Sequence, residues 1–120
     1  MKPVINGTTF GSITIGGKCY THDVVISLNG KVKKRKKKLS QQMYGTSHTV
    51  SLQEAEDMFE PGATHLIIGT GQYGYMALSP KAAAFFSQQS CGVELLPTAK
   101  AIARWNSATG AVIGMFHTTC

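Results

Sequence analysis

Ser79-Pro80-Lys81-Ala82-Ala83-Ala84-Phe85-Phe86-Ser87-Gln88-Gln89-Ser90-Cys91-Gly92-Val93-Glu94-Leu95-Leu96-Pro97-Thr98 decides the fold class. Ser79 is an N-cap residue type and Pro80 suits a first helical position, so a helix is expected over residues 80–89, with Ala82, Ala83, Phe85 and Phe86 turned to a sheet. Gly92 ends that helical connection, and residues 93–96 make a short apolar strand. After Pro97, the hydroxyl of Thr98 can cap a second helix through Ala108, which Gly110 closes. Working outward, residues 65–68, His-Leu-Ile-Ile, read as a strand on one side, and residues 111–116, Ala-Val-Ile-Gly-Met-Phe, as a strand on the other. Strand, helix, strand, helix, strand is the order of an α/β core.

The first third reads differently. Residues 10–15, Phe-Gly-Ser-Ile-Thr-Ile, alternate in polarity, and Gly16-Gly17 turns them into Lys18-Cys19-Tyr20. Residues 24–28, Val-Val-Ile-Ser-Leu, end at Asn29-Gly30, a type I′ hairpin signal that folds the following basic strip back as a partner strand. Residues 40–48 lack periodicity and are expected to be a loop; Ser51 and Glu54 then match a capping box for a helix to about Glu60, stopped by Pro61-Gly62. No repeat or linker interrupts the chain, so one α/β domain is expected over residues 1–120, with an N-terminal antiparallel hairpin region.

Seven of the twelve basic residues fall in one strip, Lys31, Lys33, Lys34, Arg35, Lys36, Lys37 and Lys38, and the remaining five face six acidic ones. Any argument for an acidic partner therefore rests on that strip. It could contact nucleic-acid phosphates, although no stacking aromatic lies within it; the plainer reading is a solvated strand edge that resists aggregation. Cys19, Cys91 and Cys120 are widely spaced and odd in number, which argues against a disulfide framework and favours a reducing, cytoplasmic setting. No run approaches the roughly 20 apolar residues that span a bilayer, and no signal peptide is apparent, so no membrane insertion is expected.

Chemistry is expected where loops leave the carboxyl ends of the strands and helices begin. The loop at residues 69–74, Gly-Thr-Gly-Gln-Tyr-Gly, and Thr98 both emerge there, and a helix start favours anions. The loop matches a dinucleotide fingerprint literally, with Glu94 downstream, but its last glycine does not open a helix and Glu94 sits early in its strand; no cofactor is assigned. His117 with Cys120, and His48 as a third ligand, fall short of a metal set, so no metal is assigned either. Trp105 and Tyr20 are expected as core or rim residues.

Phe10-Gly11-Ser12-Ile13-Thr14-Ile15, Asp23-Val24-Val25, Tyr44-Gly45-Thr46-Ser47-His48, Ile67-Ile68-Gly69-Thr70-Gly71, Pro97-Thr98 with Ala101, Trp105-Asn106, and His117-Thr118-Thr119-Cys120, in this order and spacing, resemble the Mth-type domain family. The resemblance spans nearly the whole chain and implies a three-layer α/β fold with a central mixed, mostly parallel sheet and no established reaction; eukaryotic members act as assembly or regulatory proteins. The density of the basic strip and the aromatic Trp105, where tyrosine is common, depart from the family pattern. Carried onto this chain, the resemblance gives a candidate pocket of His48, Gly69, Gly71, Thr98, Asn106 and His117. The expected function is a non-enzymatic scaffold or assembly-type protein that binds a protein partner or small anionic ligand at the loop edge. The alternatives are an enzyme acting on a small anionic substrate through His48, Thr98 and Cys120, and a nucleic-acid-binding module using residues 31–38.

Overall fold

The computed structural model describes residues 2–120; Met1, the first residue of the expected domain span, lies outside the described residues. The chain runs through β1 (Ile5–Thr9), β2 (Ser12–Ile15), β3 (Lys18–Tyr20), β4 (Val24–Ile26), β5 (Val32–Lys34), α1 (Lys38–Tyr44), β6 (Thr49–Val50), α2 (Leu52–Met58), β7 (His65–Thr70), β8 (Ala77–Leu78), α3 (Pro80–Gln88), β9 (Gly92–Leu96), α4 (Thr98–Ser107) and β10 (Val112–His117). A five-stranded sheet has the order β5-β4-β10-β7-β9. β10, β7 and β9 are parallel neighbours, while β4 is antiparallel to both β10 and β5, so only β4 runs against the other four. β1, β2 and β3 form a separate antiparallel sheet, and β6 pairs with β8.

Strand alternation divides the core into two compartments, because successive side chains leave a strand on opposite faces. Val24, Ile26, Ile67, Val112 and Phe116 meet Ala101, Ile102 and Trp105 of α4 and Ile5, Ile13 and Ile15 of the small sheet. Val25, Leu66, Ile68, Ile113 and Met115 face the other way, onto Ala55 and Met58 of α2 and Ala82 and Phe86 of α3. The result is the expected three-layer α/β architecture with an N-terminal antiparallel region. Gly114 in β10 has a specific packing duty: a Cβ there would lie 2.7 Å from the Phe116 ring and 2.9 Å from the Trp105 indole. Without it, the indole packs edge-on to Phe116 at 5.9 Å between centroids.

Several local expectations need correction. The segment read as a loop contains α1, whose straight-chain residues favour a helix and whose buried Ser40 anchors it; Gly45 ends it at φ +70°. The basic strip is a partner strand only through Lys34, and Lys38 already opens α1. The Ser51 hydroxyl accepts from the Glu54 amide at 3.1 Å, but the Glu54 carboxylate does not return to the cap; it points into a buried ion cluster. Gly69 and Thr70 belong to β7, not to a loop. Ala82 and Phe86 are buried as expected and Phe85 partly so, whereas Ala83 is exposed because the helix presents a narrower apolar face. β1 lies outside the strands read from the sequence. No helix among the described residues is long and apolar enough to cross a membrane.

Candidate functional site

Three chain segments meet at the carboxyl end of β10 because of strand register. β10 pairs with β4 so that Phe116 opposes Val24, which places His117 beside Asp23. β4 pairs with β5 so that Val24 opposes Lys34, and the Arg35 amide donates to the Asp23 carbonyl at 2.9 Å. Arg35 therefore turns inward from the strip of lysines, and it is only 3% exposed. Its guanidinium donates from Nη1 to Asp23 Oδ2 (2.9 Å), from Nε to Glu54 Oε2 (2.5 Å), and from Nη2 to Glu54 Oε1 (2.9 Å) and the Ser47 carbonyl (2.8 Å). Such a planar fork suits two carboxylates in a way that a lysine ammonium cannot.

The rest of the cluster is equally saturated. Asp23 Oδ1 accepts from the Thr118 amide at 2.8 Å and the Thr118 hydroxyl at 3.1 Å, and Oδ2 also accepts from His117 Nδ1 at 2.7 Å. Burial alone would raise the Asp23 pKa, but the hydrogen bond and charge of His117, the Thr118 amide and Arg35 hold it well below the usual carboxylate range. Burial would likewise lower the Arg35 pKa, but its contacts with Glu54 and Asp23 raise it above the ordinary value. The Ser40 hydroxyl donates to Glu54 Oε1, tying α1 to the cluster. Among the described residues, no buried side-chain nitrogen or oxygen lacks a partner.

A cleft of about 330 Å³ opens over this cluster. Its lining includes Lys34 and Lys37 from the basic strip, His22, and the hydroxyl residues Thr21, Ser47 and Thr119. With Asp23 and Glu54 flanking Arg35, the charge presented to solvent comes from the two lysines. Thr119 Oγ1 lies 3.2 Å from His117 Nε2. With Nδ1 taken up by Asp23, Nε2 is the ring nitrogen that faces the Thr119 hydroxyl.

The residues expected to form a pocket divide among three places. His117 lines the cleft, and the His48 ring packs edge-on against it at 5.3 Å. Gly69, Gly71 and Thr98 meet behind His117 in a packed joint. Thr98 is fully buried; its hydroxyl donates to the His117 carbonyl at 2.7 Å and accepts from the Gly71 amide at 3.0 Å, and its own amide donates to the Gly71 carbonyl at 3.0 Å. Thr98 thus does not cap α4; Pro97 occupies the N-cap position, without a side-chain cap bond. Gly71 has φ +107°, and a Cβ there would approach the Cys120 backbone to 2.4 Å, so residue 120 fills the space beside the glycine loop. Asn106 lies at the far end of α4, about 12 Å along the axis from Thr98. Its side chain accepts from the Ile5 amide and donates to the Ile5 carbonyl, both at 2.9 Å, fastening β1 to the helix.

Glu94 pairs with Arg104 at 3.0 Å on the surface, away from the glycine loop. Among the described residues, no three His, Cys, Asp or Glu side chains converge as a metal site. The sequence reading did not name Asp23 or Glu54 as site residues, and it placed Arg35 with the lysines of the solvated strip, whereas Arg35 is buried. The available signal was the lone arginine in a run of lysines, together with a capping-box glutamate on a helix whose other partner was assigned to the cap.

A family model described as "Protein of unknown function (DUF498/DUF598)" matches residues 5–116. The conserved hypothetical protein PH1505 from Pyrococcus horikoshii OT3 is 30% identical, with full coverage of both chains and a TM-score of 0.88. The protein MT938 is 33% identical over 99% of this chain and all of its own, with a TM-score of 0.82. A Bordetella pertussis protein described as a Mth938-like domain shares the fold at 16% identity, covering 97% of this chain and 85% of its own, with a TM-score of 0.65.

Proposed function

Because this chain belongs to the DUF498/DUF598 family of unknown function, as its expected Mth-type resemblance implied, we propose its function from the site itself: a non-enzymatic protein that binds a small anionic ligand in the cleft above Arg35. The observation that carries the reading is the pairing of Lys34 and Lys37 at the cleft wall with a floor whose buried charges already have partners. A self-satisfied floor is rigid, so the backbone that carries the two lysines, the end of β5 and the N-cap of α1, needs no reorganisation on binding. Hydroxyls of Thr21 and Ser47 add neutral donors for oxyanion atoms. The expected anion site thus moves from the α4 start, where the Thr98 amide is occupied by Gly71, to the adjacent strand end. Calorimetric titration with inorganic pyrophosphate should give saturable binding that Lys34→Ala/Lys37→Ala weakens at least tenfold; an unchanged affinity in that variant counts against the reading.

One observation favours a second reading, in which the cleft carries out a reaction. Asp23, His117 and Thr119 form the hydrogen-bond chain acid, imidazole, hydroxyl. In this reading the Thr119 proton passes to His117 Nε2 as the oxygen attacks the acyl or phosphoryl centre of an ester, and the imidazolium gives that proton to the leaving alkoxide as its bond to that centre breaks, replacing the expected His48, Thr98 and Cys120 arrangement. Labelling of Thr119 by a fluorophosphonate, lost in His117→Gln, would support it; absence of labelling at high reagent concentration would remove it.

A further inference from the structure

Phe10, Tyr73 and Tyr75 are the three most exposed large hydrophobic side chains described, at 60%, 65% and 66%, and they lie together. Phe10 and Tyr73 have centroids 6.3 Å apart, and Tyr73 and Tyr75 5.9 Å apart, with the planes tilted rather than stacked. A lone exposed aromatic needs no explanation, whereas three in contact form a patch. Phe10 sits in the turn between β1 and β2, and the two tyrosines follow β7, so the fold assembles the patch from distant sequence.

The backbone under these rings is fastened. The Gly11 amide donates to the Thr118 carbonyl at 2.8 Å and the Gln72 amide to the Thr119 carbonyl at 2.7 Å. The Gln72 side-chain amide donates to Thr8 Oγ1 at 3.0 Å and contacts the Thr9 carbonyl at 3.3 Å. Gly11, Thr118 and Thr119 also line the lysine cleft, so the aromatic patch adjoins the cationic surface one residue away along the chain. The cationic surface continues along Lys36 and Lys38, which share a neighbouring hollow with Lys34 and Lys37, Lys36 Nζ pairing with Asp57 at 3.2 Å.

We infer that this combined surface binds a short stretch of single-stranded nucleic acid, with bases on Phe10, Tyr73 and Tyr75 and backbone phosphates on Lys34 and Lys37. The inference rests on the anion-binding reading and specifies its ligand. Exposed π faces beside a row of ammonium groups match unpaired bases and their phosphates, and both features tolerate any base. A duplex hides its base faces, so it would use the lysines alone. An acidic protein surface would likewise satisfy the charge but leave no comparable partner for three adjacent rings.

The test is fluorescence anisotropy with a labelled thymidine oligonucleotide of about ten residues, a length within the range of single-strand sites. An abasic oligonucleotide of the same length, a duplex and polyglutamate serve as competitors, alongside pyrophosphate calorimetry. The expected result is that the thymidine strand outcompetes all three polymers. Phe10→Ala/Tyr73→Ala/Tyr75→Ala should then weaken it by about tenfold or more while pyrophosphate binding persists, and Tyr75→Trp, which keeps a stacking face, should retain affinity. Persistence of pyrophosphate binding also shows that the triple variant is folded. Equal binding of the thymidine and abasic strands, or tighter binding of duplex or polyglutamate, overturns the inference and leaves the anion site standing. Loss of neither ligand in the aromatic variant does the same, whereas failure of the wild type to bind pyrophosphate removes both.

Discussion

Arg35→Met replaces the guanidinium with a side chain of comparable reach and no charge. Four N–H donations disappear: two to Glu54, one to Asp23 and one to the Ser47 carbonyl. Asp23 keeps its bonds to His117 and Thr118 at the cleft, whereas Glu54, its side chain only 2% exposed, is left with the Ser40 hydroxyl as its one side-chain partner. Removing one partner from such a buried cluster costs about 3–5 kcal/mol. Against a typical domain stability of about 5–15 kcal/mol, that is a large fraction. For a chain of 120 residues it corresponds to a fall in melting temperature of about 10–20 °C. Lys33→Met, a change of the same kind at an exposed position one residue from the strand end, should stay within about 0.5 kcal/mol. Urea denaturation of both variants at neutral pH measures the difference directly. Adding Glu54→Gln to Arg35→Met should recover part of the loss, since the orphaned charge is then gone. If Arg35→Met is no less stable than Lys33→Met, the buried-cluster reasoning is wrong.

The depressed Asp23 pKa gives a pH signature. The native state resists protonating this carboxylate more than the unfolded chain does, so its contribution is complete above the unfolded value near 3.9 and declines as the pH falls below it. Asp23→Asn should therefore be less stable than wild type at pH 6, and the gap should narrow at pH 3; a gap that widens on acidification contradicts the assignment. Thr98→Val keeps the shape of the joint but removes the bonds to Gly71 and His117, and should cost about 1–3 kcal/mol by thermal denaturation, whereas a neutral result would mean the joint is held by packing alone. Gly71→Ala should be worse than Gly110→Ala, because both have positive φ but only Gly71 has backbone within reach of a new Cβ; comparable melting points would refute this. Thiol labelling of the native protein should proceed at exposed Cys19 before Cys91, whose burial also raises its pKa, and the reverse order would contradict the core assignment.

Much of the layered architecture was legible because it follows from local rules. Ser79-Pro80 starts α3, Gly16-Gly17 turns β2 into β3, and the apolar run from residue 112 makes the central β10. What escaped was held by long-range polar contacts, which leave no periodicity in the sequence. α1 has no apolar stripe because a serine hydroxyl on Glu54 anchors it, across fourteen positions. The same holds for the site. Asp23 and His117 are 94 residues apart and become neighbours only through the antiparallel pairing of β4 with β10. The glycine loop and Thr98 were rightly expected at one edge of the sheet, but their hydrogen bonds to each other close the gap between them. Arg35 illustrates the limit most clearly, since composition groups it with six lysines and only the fold separates it from them.

In the proposed function an anion enters the cleft between Lys34, Lys37 and His117. Amide chemical-shift mapping during titration of the isotopically labelled protein with pyrophosphate reads this residue by residue. Saturable shifts concentrated at residues 21–23, 34–37 and 117–119 are the predicted outcome. Shifts centred instead on Gly71 and the start of α4, or scattered over every exposed lysine without saturation, would contradict it.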